Sequence, residues 1–205
     1  MLFFKIKLKD TKINYKKMIS KEAQKSIKRF KRASSFIGLL YKSPKEMTSG
    51  RMKIGRWFNN LQGTVFPKVK GTTKEVIYLD DIRSFKISTP NSDPERILLY
   101  FHGGGYSLGS PESHYALASY LADITKTVVY VPDYRLGPEH KFPAQLEDGI
   151  KSYKFLIDEL GFSPEQVAIS GDSAGGHLAL ITLLKLKEDG IQPVSYTHLT
   201  LPTSR

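Results

Sequence analysis

Gly171-Asp172-Ser173-Ala174-Gly175 is the feature that most restricts what this chain can become. It is a G-x-S-x-G run set between a short apolar strand, Val167–Ser170, and an apolar helix opening at Ala174. A serine presented as a nucleophile needs a sharp, strained turn that lifts its hydroxyl above a sheet. Gly171 and Gly175 let strand and helix approach without Cβ clashes. The first turn of the helix turns its positive end toward the serine, where a developing oxyanion would sit. Ser173 is therefore the candidate catalytic residue, with Asp172 a structural member of the same turn. The bland alternative is a glycine-rich structural turn.

The rest of the chain supplies the surroundings such a turn requires. Lys74–Leu79 and Ser84–Ser88 read as strands joined by an acidic turn at Asp80-Asp81. Thr89 to Pro94 is a turn cluster, and Ile97–Phe101 is a continuous apolar strand of the kind buried on both faces. Helices are expected at about 112–125, 143–160 and 174–187, with a strand at Val128–Val131 between the first two. Strand and helix alternate, which predicts an α/β fold with a mostly parallel sheet covered by helices on both faces. Residues 45–72, with Gly50, Gly55, Gly63, Pro67 and Gly71, read as loops around a short helix near Trp57-Phe58.

His102-Gly103-Gly104-Gly105 follows the apolar strand directly. Bare glycines there let backbone N–H groups face a cleft, so Gly103, Gly104 and Gly105 are candidate oxyanion donors together with the N–H of Ala174. The alternative, a phosphate-cradling loop, lacks both the G-x-G-x-x-G and the G-x-x-x-x-G-K spacing. His102 is expected to shape the loop rather than to act as a base.

These segments carry a resemblance. From about Ile97 to Leu186 the chain resembles the hormone-sensitive lipase-like esterases, a group of α/β-hydrolases. The matching residues are His102-Gly103-Gly104-Gly105-Tyr106 with Gly109-Ser110, then Asp133-Tyr134-Arg135-Leu136 with Pro138-Glu139. Phe142-Pro143-Ala144 and Asp148 follow, and Gly171-Asp172-Ser173-Ala174-Gly175-Gly176 completes the set. The resemblance implies the α/β-hydrolase fold with Ser173 as nucleophile, oxyanion donors from the glycine run, and structural roles for the two middle segments. It also implies an N-terminal helical cap, expected over residues 1–72, ahead of a hydrolase core at 73–193. The activity implied is carboxylester hydrolysis through an acyl-enzyme on small or lipid-derived esters, with no cofactor and no metal.

In this fold the acid and base follow the serine in the order Asp/Glu, then His. His177 lies one turn along the nucleophile's own helix, poorly placed to reach back. Glu188 and Asp189 end that helix and read as solvated charges, and His198 stands where the next core strand should begin. The expectation is that the C-terminal strands and helices of the fold are missing and that these 205 residues alone are inactive and poorly folded, with an open apolar edge beside Val167–Ser170. Residues 194–205 resemble the conceptual translation of a sequencing-library adapter, which makes them an expected non-native tail. If the tail is native, a non-catalytic small-molecule-binding protein on a hydrolase scaffold is the alternative.

Charge divides the chain. Residues 1–74 hold 20 Lys/Arg against 3 Asp/Glu, net +17, and residues 75–205 hold 11 against 17, net −6. Ile19, Ala23, Ile27 and Phe30 recur at helical spacing among the lysines. A solvated cap helix is the plain reading. A peripheral seat on anionic membrane through residues 1–74 is the second, since basic and apolar faces suit an interface. No specific nucleic-acid motif accompanies the charge. The chain has no Cys, so disulfides and thiolate sites are excluded, and a cytoplasmic setting is expected.

Overall fold

The computed structural model of the protein describes residues 49–191 and 196–199. The chain divides into two compact units, Met1–Met47 and Thr48–Arg205. The first lies outside the described residues, and so does the helical spacing read from Ile19 to Phe30.

Six strands form one mixed sheet: β1 (Thr73–Leu79), β2 (Ile82–Ser88), β3 (Asp93–Phe101), β4 (Thr127–Pro132), β5 (Val167–Asp172) and β6 (Tyr196–Leu199). Their spatial order is β1-β2-β4-β3-β5-β6. β1/β2 and β2/β4 are antiparallel, whereas β4, β3, β5 and β6 run parallel. The expected open edge beside β5 is occupied by β6, with Ile169 opposite Tyr196 and Gly171 opposite His198.

Four α-helices and one turn of 3-10 helix, Pro164–Gln166, complete the described part: α1 (Ser49–Val65), α2 (Pro111–Thr125), α3 (Ala144–Asp158) and α4 (Ala174–Glu188). The apolar alternation of β3 and β4 assigns the two faces. Ile97, Leu99, Phe101, Val128 and Tyr130 pack with Tyr153, Leu156, Leu178 and Ala179 of α3 and α4. Leu98, Tyr100, Val129 and Val131 pack with Ala118 and Ala122 of α2. Each fully buried side chain of this size contributes about 1.5–3 kcal/mol of transfer free energy.

Two expectations fail locally. The short helix expected near Trp57-Phe58 is the 17-residue α1, which takes in Gly50, Gly55 and Gly63, whereas Pro67 and Gly71 lie in the loop after it. Gly63 is buried against the backbone of Glu112 and Ser113, where any Cβ would collide, so this glycine serves helix–helix contact rather than a turn. Trp57 is 65% exposed, because α1 turns its other side to α2. The turn cluster ending at Pro94 also runs into β3, where the pairing with β4 is irregular between Asp93 and Ile97. That irregularity accommodates a proline without a broken ladder.

From β3 the chain moves to β4 on one side, then crosses to β5 on the other. The carboxyl ends of β3 and β5 thus flank the topological switch point, where open α/β sheets form their crevice. The histidine-glycine run leaves β3 there, and Ser173 leaves β5.

Candidate active site

Ser173 sits between β5 and α4 at φ 52°, ψ −120°. This left-handed conformation is strained for a residue with a side chain. The strain is held by close approach. A Cβ on Gly171 would strike the backbone of Gly175 and Phe101, and one on Gly175 would strike the Phe101 and His102 carbonyls. Ser173 is exposed, and its hydroxyl has no hydrogen-bond partner among the described residues. Ala174 is the first residue of α4, so its N–H belongs to the unpaired first turn of that helix.

The glycine run lies across from it. Gly104 (φ +127°) and Gly105 (φ +61°) have backbones only glycine adopts readily, and their N–H groups meet no acceptor among the described residues. Gly103 differs, and here the expectation is corrected. Its N–H donates to Asp172 Oδ1 at 2.8 Å and is not free for an oxyanion. A Cβ at this position would overlap the Asp172 carboxylate. Gly104 and Gly105, with Ala174 at the start of α4, are left as the residues of the expected set whose N–H groups meet no acceptor among the described residues.

Asp172 links the two halves. Its Oδ1 also accepts the Tyr100 hydroxyl at 2.6 Å, and His114 Nε2 stands 3.4 Å away. Burial pushes this carboxyl up, but His114, Tyr100 and the Gly103 N–H together hold it below the usual carboxylate value. Burial and the Asp172 charge push the Tyr100 phenol well up, so it stays a donor.

His102 is wholly buried. Its Nδ1 donates to the Gly103 carbonyl at 2.9 Å, since a carbonyl can only accept. Its ring stacks on Tyr134 with centroids 4.3 Å apart, and the Tyr134 hydroxyl donates to the His102 carbonyl at 2.6 Å. Burial, reinforced by His114, lowers the His102 pKa to about 3. The ring is neutral near pH 7 and packed away from the crevice. Arg135, next to Tyr134, forks onto the buried Asp148 at 2.7–2.9 Å, which also accepts the Arg135 N–H at 2.7 Å. The middle segments thus brace the glycine loop from behind.

His177 Nδ1 is hydrogen-bonded to Tyr106 Oη at 2.7 Å. Burial pushes the Tyr106 phenol up to about 12. Both residues line a mainly apolar pocket of about 340 Å³ with Pro138, Phe142, Gln145 and Ile181. Ser173, His177 and Ile181 recur every fourth residue, so the pocket begins one helical turn from the serine. His198 is placed on β6 at the register of Gly171. Among the described residues no group of three or more His, Asp or Glu could hold a metal.

Sequence reasoning passed over Tyr100, His114 and Arg56, all hydrogen-bonded or close to the site segments. Tyr100 is one of 11 tyrosines and Arg56 one of 31 cationic residues, with no motif to mark either.

Comparison with known proteins bears on the fold and the family. A family profile described as alpha/beta hydrolase fold matches residues 98–205. An acetyl-hydrolase of Streptomyces hygroscopicus is 44% identical over 101 residues, 49% of this chain and 33% of that protein. Esterase LipU of Mycobacterium tuberculosis is 39% identical over 111 residues, 54% of this chain and 37% of that one. Among solved structures, an esterase from the bacterial hormone-sensitive lipase family superposes with a TM-score of 0.71 at 29% identity, covering 82% of this chain and 56% of the other. The chain thus spans about a third of the length of these curated relatives and just over half of that solved chain.

Proposed function

The chain belongs to the alpha/beta hydrolase fold family, and from that premise we propose that it carries the nucleophile and oxyanion half of a serine carboxylester hydrolase. The single observation behind this is the Ser173 turn: a strained, exposed serine at φ 52° at the switch point, with the glycine run Gly103–Gly105 leaving the neighbouring strand there. Ser173 Oγ attacks the ester carbonyl carbon and its proton passes to a general base. The carbonyl oxygen takes the negative charge, and the N–H groups of Gly104, Gly105 and Ala174 hold it. Collapse of the tetrahedral intermediate expels the alcohol and leaves an acyl-enzyme, which water then hydrolyses. Removing one such donor costs about 10²–10³ in rate. The apolar pocket beside His177 and Tyr106 takes a hydrocarbon part of the ester.

The base is assigned to none of the described residues. His177 is turned to Tyr106, and His102 is buried behind the loop. The test therefore uses the complete product of the source gene. A fluorophosphonate probe should label it at Ser173, and Ser173→Ala should lose both labelling and hydrolysis of p-nitrophenyl esters. A wild-type protein that binds an ester analogue reversibly yet neither labels nor turns over would replace this reading with a binding protein on a hydrolase scaffold.

We further propose that the basic N-terminal part seats the enzyme on anionic lipid. Residues 1–74 carry net +17, and α1 exposes Ile54, Trp57 and Val65 beside Lys53. No helix among the described residues is long and apolar enough to cross a membrane, so this contact would be peripheral.

A further inference from the structure

We infer that Arg56, on α1, is a positioning residue that clamps the oxyanion loop to the pocket wall. The clamp is described by four hydrogen bonds. Arg56 Nε donates to the Ser107 carbonyl at 2.9 Å, and Nη2 donates to the Gly137 carbonyl at 2.8 Å. The same guanidinium forks onto Glu139, with Nη1 on Oε1 at 3.1 Å and Nη2 on Oε2 at 2.8 Å. The ion pair is only about a quarter exposed at either side chain.

The two carbonyls belong to the segments that shape the site. Ser107 and Leu108 both donate backbone N–H groups to the Gly104 carbonyl, at 3.1 and 2.9 Å, so the Ser107 peptide plane fixes the turn carrying the Gly104 and Gly105 donors. Gly137 donates its N–H to the Tyr106 carbonyl at 2.8 Å, and Gly137 lines the apolar pocket with Tyr106 and Ser107. Arg56 thus closes a ring of contacts: α1 to the glycine loop, the glycine loop to the Gly137–Glu139 loop, and that loop back to α1. α1 itself is tied down beside the ring. Ser110 Oγ donates to Asn60 Oδ1 at 2.6 Å, and Gly63 is pressed against the start of α2.

A planar fork is the group this arrangement requires. Its fixed donors meet two carbonyls and a carboxylate at once, which a lysine ammonium does not reproduce. Without the fork the Ser107 and Gly137 carbonyls keep their positions only through the loops' own bonds. The donors of Gly104 and Gly105 then lose orientation, which weakens contacts made chiefly in the transition state and lowers kcat more than it raises KM.

The catalytic part of this inference rests on the proposed ester hydrolysis. Its test uses the complete gene product with p-nitrophenyl esters and, in parallel, hydrogen exchange of the same proteins. Arg56→Ala should lower kcat about tenfold to hundredfold, with KM within about threefold. Arg56→Lys should fall between Arg56→Ala and wild type, and Lys151→Ala, on α3 where it pairs with Asp80 and Asp81, should leave kcat unchanged. Amides of Ser107, Leu108 and Gly137 should exchange faster in Arg56→Ala, with those of β1 and β2 unmoved. An Arg56→Ala protein with wild-type kcat and unchanged exchange at these amides overturns the clamp. A uniform rise in exchange across the sheet overturns it too, making Arg56 a general stabiliser. If wild type neither hydrolyses esters nor labels, the activity proposal fails on its own, and the exchange result alone decides whether Arg56 holds the two loops.

Discussion

His102 shows how a residue that invites a catalytic role is used instead as filling. It opens the glycine run, yet it is sealed beneath the loop, stacked on Tyr134 and spending its one proton on the Gly103 carbonyl. Burial depresses its pKa from 6.5 to about 3, so the folded protein binds one proton fewer than the unfolded chain between those values. The stability this contributes is complete above about pH 6.5 and is lost as pH falls toward 3, at up to about 1.4 kcal/mol per pH unit. We predict that His102→Phe, which keeps the stacking but cannot titrate, flattens the decline of urea midpoint between pH 6.5 and 4. An unchanged slope would mean that another group binds the proton. The role of His102 was partly legible in the sequence, because it follows its strand directly and precedes Ser173. The loss of Gly103 as a donor was not, since the run His-Gly-Gly-Gly does not say which N–H meets the Asp172 carboxylate.

Among the elements, α1 was the least legible. Its three glycines read as loop punctuation, because a sequence gives the same symbol to a glycine that turns a chain and a glycine that lets two helices touch. Gly63 is the second kind. Gly63→Val should therefore destabilise the protein by about 1–3 kcal/mol through overpacking against Glu112 and Ser113, read as a lowered Tm without loss of helical signal. A Tm equal to wild type would show that α1 and α2 can separate freely. The other helices and strands lie close to where periodicity placed them, since α2, α3 and α4 each have a buried stripe and β3, β4 and β5 each carry buried apolar residues. Their ends were less clear. Asp93 and Pro94 look like turn residues and still begin β3, where the sheet pairing is irregular enough to accept them.

At the scale of the molecule, the alternation of strand and helix revealed an α/β sheet, but not that β3 lies between β4 and β5. That order depends on crossover direction, to which side-chain periodicity is blind. It is also what brings the glycine run and Ser173 to one crevice. The charge split belongs to this scale as well. With net +17 over residues 1–74, the complete gene product should bind vesicles rich in phosphatidylserine at low salt and release them above about 0.5 M NaCl, where screening shortens the reach of charge to a few ångströms. Equal binding to neutral phosphatidylcholine vesicles would remove the electrostatic seat. Asp172, finally, acts as a common datum. The nucleophile turn and the oxyanion loop are both gauged from that one carboxylate, on neighbouring strands paired from Ile97–Val167 to Phe101–Gly171. A displacement of either loop carries the other with it, so their gap is insulated from tolerances elsewhere in the assembly. Under the proposed ester hydrolysis, the pocket wall around Phe142 and Ile181 can then drift in size and shape, and substrate range can be retuned, without the chemistry having to be re-machined.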